Sequence, residues 1–235
     1  MLAPILRPGK VIGVAANYQD HIAESGMKRR DRAAAMPRLF LKPSTSVAGH
    51  QEPVALPAIT DQFDWEVELA VVIGTPAREV GIADALDHVF GYTTSNDLSA
   101  RRLVHGIPDD GEPQTGFFAW LEGKWLDGSA PLGPYLVTAG EVGDPQDLPL
   151  TLAVNGVRRQ EASTADMIHS VAELISYSSR LMTLEPGDVI LTGTPAGVGS
   201  ASGTFLQPGD VVEAEVGPCG KLETPIVAPE DHGRR

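Results

Sequence analysis

One segment constrains the fold more than any other: residues 64–74, DWEVELAVVIG. Successive residues of a strand point to opposite faces, so Trp65, Val67, Leu69, Val71 and Ile73 form one apolar face. The other face carries Asp64, Glu66 and Glu68, then turns apolar at Ala70 and Val72. A strand apolar on both faces belongs between two hydrophobic layers. Its acidic end then reaches either a cavity or solvent at a sheet edge. Adjacent carboxylates in a half-buried place repel one another and resist desolvation. A hard divalent cation resolves both problems, and oxygen ligands suit magnesium, manganese or calcium. The plainer alternative is a solvent-facing strand that is simply acidic.

The remaining sequence is punctuated like a β-rich protein. Nineteen prolines and 25 glycines among 235 residues favour short strands and turns over a helical bundle. Strands are predicted at 10–15, 38–42 and 64–74 and in FGYTTSND. Short helices are predicted at 17–25 and 82–88, with one longer helix at 163–181. In the last, Met167, Val171, Leu174, Ile175 and Leu181 recur at three-to-four spacing behind a Ser/Thr cap. Residues 101–114 are polar, with glycine and proline, and are expected to form a mobile loop. LEPGDVILTG and LQPGDVVEAEVG each set a Pro-Gly turn before a β-branched run. The reading is a mainly β (α+β) fold with few short helices. No linker divides residues 1–235, and 1–9 and 226–235 are expected at the periphery.

The formal net charge of −13 repels phosphate backbones and anionic lipids, which argues against nucleic acid and membrane partners. It also opposes an anionic substrate unless the site carries its own positive charge. The basic run Lys28-Arg29-Arg30, with Arg32, reads as a solvated surface. Cys219 is the single cysteine, so no intramolecular disulfide forms. No signal-peptide pattern opens the chain and no run of about 18 apolar residues occurs. A cytoplasmic location is the expectation.

Further candidates lie outside the acidic strand. Asp97, in Asn96-Asp97-Leu98-Ser99, is either a turn residue or a third carboxylate. Three carboxylates from two strands fill one face of an octahedral magnesium site and leave room for water and substrate. His21 and Glu24, three apart on a helix face, are either a surface pair or a carboxylate-oriented imidazole acting as a base on water. Lys124 either faces water or stabilises a developing enolate. The loop 192–199 offers N–H groups and hydroxyls to a carboxylate. Its glycines do not follow GxGxxG, which argues against a nucleotide. Cys219 lacks a nearby base, and Ser44 and Ser99 lack a nucleophile elbow, so a serine or cysteine hydrolase does not fit.

Six blocks occur in order: GVAANYQDHIAE, RLFLKPSTSVAG, DWEVELAVVIG, GYTTSNDLSAR, GKWLDGSAPLGP and LEPGDVILTGTPAGVG. Together they resemble the fumarylacetoacetate hydrolase family over about residues 10–223. The resemblance implies a mixed β-roll or distorted β-barrel and a homodimer. It implies Mg²⁺ or Mn²⁺ on Glu66, Glu68 and Asp97, with calcium able to substitute in vitro. It makes His21 and Glu24 a water-activating dyad on a lid, Lys124 a catalytic lysine, and Thr194 a holder of the substrate carboxylate. Lys42, Gly193 and Asp127, in or beside the same blocks, join Thr194 as expected substrate contacts. The length resembles the short members, which include acylpyruvate hydrolases, fumarylpyruvate hydrolases, oxaloacetate decarboxylases and isomerases of aromatic catabolism.

Three readings follow from this resemblance. The first is a metal-dependent hydrolase of C–C bonds, or a decarboxylase, acting on small 2-oxo acids through an enolate. The second is an isomerase or tautomerase of 2-hydroxy-diene-dioates. The third is a catalytically silent protein that binds metal and oxo acid. It is motivated by Arg102 and Val104, which stand where many members carry Asp and Gln in NDxSARDxQ.

Overall fold

The computed structural model describes residues 1–31, 35–104 and 113–229. Its strands are β1 (Val11–Ala15), β2 (Arg38–Lys42), β3 (Val47–Ala48), β4 (Val54–Ala55), β5 (Phe63–Asp64), β6 (Val67–Ile73), β7 (Val89–Asn96), β8 (Ser99–Ala100), β9 (Ala130–Thr138), β10 (Pro149–Val154), β11 (Val157–Ser163), β12 (Val189–Leu191), β13 (Val211–Val216) and β14 (Lys221–Val227). The α-helices are short: α1 (Gln19–Glu24), α2 (Pro113–Glu122), α3 (Ala139–Val142), α4 (Val171–Leu181) and α5 (Gly199–Ser202). A 3₁₀ helix covers Ile82–His88. This is the mainly β fold expected. No helix among the described residues is long and apolar enough to cross a membrane.

A seven-stranded sheet runs β2-β1-β12-β6-β7-β9-β3, and a five-stranded sheet runs β11-β10-β13-β14-β4. Strand β6 is buried along its whole length. Its residues Val67, Leu69, Val71 and Ile73 enter the main core with Leu150, Leu152 and Val212. Ala70 and Val72 enter a second cluster with Val11, Val189 and Leu132. Both faces are thus covered, as the two-sided apolar pattern required. Near the termini, Ala3 sits in the second cluster and Ile226 in the main one.

Three departures from the predicted elements matter for the site. The 64–74 strand is interrupted, since β5 pairs with β8 and β6 begins only at Val67. Asn96 and Asp97 cause the break: the Glu66 N–H donates to Asn96 Oδ1 at 2.8 Å, and the Asp97 N–H donates to the Glu66 carbonyl at 2.8 Å. Asp64 therefore leaves the carboxylate face. Secondly, the 163–181 helix is shorter than predicted. Its cap is Ser170, reciprocated by Glu173, and Leu181 is exposed. Asn17 holds 168–169 out of the helix, with its amide bonding both backbone groups of His169 at 2.8 and 3.0 Å. Thirdly, the loop expected at 101–114 lies largely outside the described residues, and α2 begins at Pro113.

Candidate active site

The break in the strand gathers the acids. Glu66, Glu68 and Asp97 are all buried, and one carboxylate oxygen from each lies within 4.8 Å of the others. Around them stand three cations. Lys124 Nζ donates to Glu66 Oε2 and to Asp97 Oδ2, both at 2.8 Å. Lys42 Nζ donates to Asp97 Oδ1 at 2.6 Å. Arg101 bridges Glu66 Oε1 at 2.5 Å and Asp64 Oδ2 at 2.8 Å. Asp64 in turn accepts from the N–H groups of Gly199 and Ser200 at 2.6 and 2.9 Å, fixing the start of α5.

Four carboxylates (Asp64, Glu66, Glu68 and Asp97) thus face three cations (Lys42, Lys124 and Arg101), which leaves one negative charge in excess. The excess falls on Glu68. Burial, then the charges of Asp97 and Glu66, push its carboxyl well above the usual 4.5. Its oxygen Oε2 accepts from the Gly193 N–H at 2.6 Å. Glu66 goes the other way: burial opposes its ionisation, but Lys124 and Arg101 outweigh burial and hold it below the usual range. Burial pulls the Lys42 ammonium down despite Asp97. An all-oxygen donor set with an unmatched buried charge fits a hard divalent cation.

The His21–Glu24 pair reaches the same place from α1. His21 Nδ1 lies 2.7 Å from Glu24 Oε1, and Glu24 Oε2 accepts from the Gly197 N–H at 2.8 Å. The helix is positioned by Asn17, whose Nδ2 also donates to the Thr192 carbonyl at 2.8 Å. Gly193 must be glycine: its φ is +96°, and a Cβ there would lie 2.7 Å from the Asn17 Cβ. Thr194 is buried, and its Oγ1 accepts from Gln160 Nε2 at 2.9 Å. Gln160 also donates to the Pro195 carbonyl at 2.8 Å and accepts from the Val67 N–H at 2.9 Å, which ties the loop to β6. Replacing Gln160 with Leu leaves that buried N–H unpaired. Urea unfolding is expected to show a loss of about 1–3 kcal/mol.

Glu66, Asp97, His21, Lys124 and Thr194 line one cavity of about 860 Å³. Other expected contacts are placed differently. Lys42 is occupied by Asp97, and the Gly193 N–H by Glu68. Asp127 is exposed in the turn after Lys124 and is not among the described lining residues. Arg102 and Val104 are exposed and do not line the cavity either; Arg102 pairs with Asp61. Cys219 is buried, and burial pushes its thiol up to about 12, so it stays protonated. Sequence reasoning missed Arg101, Asn17 and Gln160. Arg101 lies in the SAR block beside Asp97, whereas Gln160 sits in β11, signalled only by the Asn155-Gly156 turn that precedes that strand.

The buried acids Glu66 and Asp97 share one large cavity with an imidazole oriented by Glu24, an arrangement suited to acid–base chemistry. The chain matches the sequence profile described as "Fumarylacetoacetate (FAA) hydrolase C-terminal" over residues 10–227. It belongs to the fumarylacetoacetate hydrolase family. An oxaloacetate tautomerase fahd2 of Xenopus laevis is 39% identical, over 97% of this chain and 68% of that protein. The structure of a 2-hydroxyhepta-2,4-diene-1,7-dioate isomerase from Mycobacterium marinum superposes with a TM-score of 0.79 at 39% identity, covering 99% of this chain and 78% of that one. A fumarylpyruvate hydrolase from Pseudomonas aeruginosa, in complex with Mn²⁺ and pyruvate, superposes with a TM-score of 0.80 at 33% identity, covering 93% and 89%.

Proposed function

We propose that the chain is a divalent-metal-dependent hydrolase that cleaves a C–C bond in 2,4-dioxo acids of the acylpyruvate type. The observation that carries this is His21, oriented by Glu24 and facing the same cavity as Glu66, Asp97 and Lys124. Decarboxylation of a β-oxo diacid needs no attacking water and so no such base. The Mn²⁺ and pyruvate of the Pseudomonas aeruginosa hydrolase agree with a site for oxo acid and metal. When bound by Glu66, Glu68 and Asp97, magnesium or manganese supplies Lewis-acid polarisation of the 2-oxo group.

The chain's own residues supply the rest. Glu24 holds the Nδ1 proton of His21, which leaves Nε2 to take a proton from water. The oxygen adds to the distal carbonyl carbon. The C–C bond then breaks, and its electron pair passes to the pyruvate fragment, which His21 reprotonates. Water's oxygen leaves in the released carboxylic acid. Lys124 keeps an ammonium beside the developing charge. The Thr194 oxygen already accepts from Gln160, so its own O–H is free to donate to the substrate carboxylate.

The test is metal-dependent release of pyruvate from acetylpyruvate. Replacing His21 with Ala is expected to slow it about 10²–10⁴-fold. A second reading, proton shuttling by the same His21 without addition of water, is favoured by the isomerase and tautomerase relatives. Enol–keto conversion of oxaloacetate with no pyruvate from acetylpyruvate would establish it over hydrolysis. Metal and oxo-acid binding with neither reaction would leave the silent protein, although Arg102 and Val104 stand clear of the cavity.

A further inference from the structure

The cavity is far larger than its acidic end. A volume of about 860 Å³ is that of pockets that enclose a drug-sized ligand, and a pyruvate-sized acid fills one corner of it. From that corner a ladder of rings leads outward. Lys124 Nζ lies 5.4 Å from the centre of the Phe40 ring. Phe40 meets Trp120 edge-on at 5.3 Å, and Trp120 stacks with Phe117 at 5.9 Å. Phe40 is buried and Phe117 is 56% exposed, so the ladder runs from the acids to the surface. Leu41 and Trp125 extend the wall, tied by the Trp125 Nε1 bond to the Leu41 carbonyl at 2.9 Å.

The wall is seated by the backbone beneath it. Phe40 pairs with Gly13 across β1 and β2, and a Cβ at Gly13 would come 2.2 Å from the ring. Any larger residue would push Phe40 from its place. Among the described lining residues, Arg38 is the one ammonium or guanidinium outside the acidic cluster, and it is exposed. A charged tail laid along the rings would lose hydration with little to replace it. An apolar tail would cover ring surface that otherwise meets water.

We infer that this wall binds an apolar tail, aryl or long alkyl, at the far end of the oxo acid, and that it selects such substrates over short or dicarboxylic ones. The inference rests on the proposed oxo-acid site and names the substrate class for it.

Calorimetric titration of the Mg²⁺-loaded protein tests this with three acids that lack a 4-oxo group and cannot be cleaved: 2-oxobutanoate, 2-oxo-4-phenylbutanoate and 2-oxoadipate. The phenyl acid is expected to bind about tenfold or more tighter than 2-oxobutanoate, and 2-oxoadipate no tighter than 2-oxobutanoate. Phe117→Ser is expected to remove several-fold of the phenyl advantage, and Trp120→Ala more; the exposure of Phe117 keeps the first variant folded. Equal Kd values for the phenyl and ethyl acids, or an undiminished phenyl advantage in both variants, would overturn the inference. Tightest binding by 2-oxoadipate would overturn it too, and would assign Arg38 to a second carboxylate. Binding of none of the three would instead strike the oxo-acid reading itself, and the tail site with it.

Discussion

Asp97→Asn is expected to abolish turnover and to lower the stability of the metal-free protein by about 3–5 kcal/mol. Asp97 is the hub of the cluster, accepting from Lys42 at 2.6 Å and from Lys124 at 2.8 Å. Both lysines are buried. An amide offers one acceptor and no charge. The amide oxygen serves one lysine; if it stays with Lys124, Lys42 keeps only the Leu98 carbonyl, at 3.5 Å, and if it stays with Lys42, Lys124 keeps only Glu66. An uncompensated buried ammonium costs far more than the pair had gained. In a domain of this size the loss corresponds to a fall of about 6–20 °C in Tm. Adding Lys42→Met to Asp97→Asn removes the orphaned charge and should recover part of the stability but none of the activity. Thermal unfolding in EDTA and pyruvate release in Mg²⁺ read the two effects separately. An inactive Asp97→Asn as stable as the wild type would mean that the lysines do not depend on Asp97.

Part of this acidic cluster was legible in the sequence because two of its three acids, Glu66 and Glu68, sit on the most patterned segment of the chain. Asp97 lies between β7 and β8, in a link that pattern alone does not mark. A strand apolar on both faces leaves few places for Glu66 and Glu68, and β6 supplies both core clusters as that pattern requires. Less legible was where the strand stops. The period-two pattern continues back through Asp64, yet Asn96 takes the Glu66 N–H and ends the ladder. That is a tertiary hydrogen bond, and no local preference announces it. The same holds for Asn17, which shortens the predicted 163–181 helix from 152 residues away. Gln160 was missed with the hairpin that carries it. There the signal existed: Asn155-Gly156, both at positive φ, makes the turn between β10 and β11. Helix α2 was lost in a segment whose glycine and prolines suggested a loop, although Phe117, Phe118, Trp120 and Leu121 follow directly.

Glu68→Gln should give the opposite sign in stability with the same loss of activity. The variant is expected to bind no Mg²⁺ in a calorimetric titration and to release no pyruvate. In EDTA at neutral pH it should nevertheless melt higher than the wild type. Glu68 is the acid without a cation, and its neighbours Asp97 and Glu66 repel its charge. Glutamine keeps an oxygen for the Gly193 N–H and discards the charge. The pH dependence follows from the raised carboxyl. Above the ordinary value of 4.5 the unfolded chain gives up the Glu68 proton while the folded protein retains it. The folded state then binds more protons, so wild-type stability falls as pH rises, until the folded-state value is passed. Glutamine carries no titrating proton and has no such slope. Subtracting one Tm curve from the other cancels the contribution of Glu66, which both proteins share. The gap should close below pH 4.5 and widen from there through neutrality. Saturating Mg²⁺ should reverse the order, because binding to the folded state stabilises the wild type alone. A Glu68→Gln protein that melts lower than the wild type in EDTA at pH 8 would place the surplus charge elsewhere in the cluster. The divalent cation would then lose its strongest physical argument.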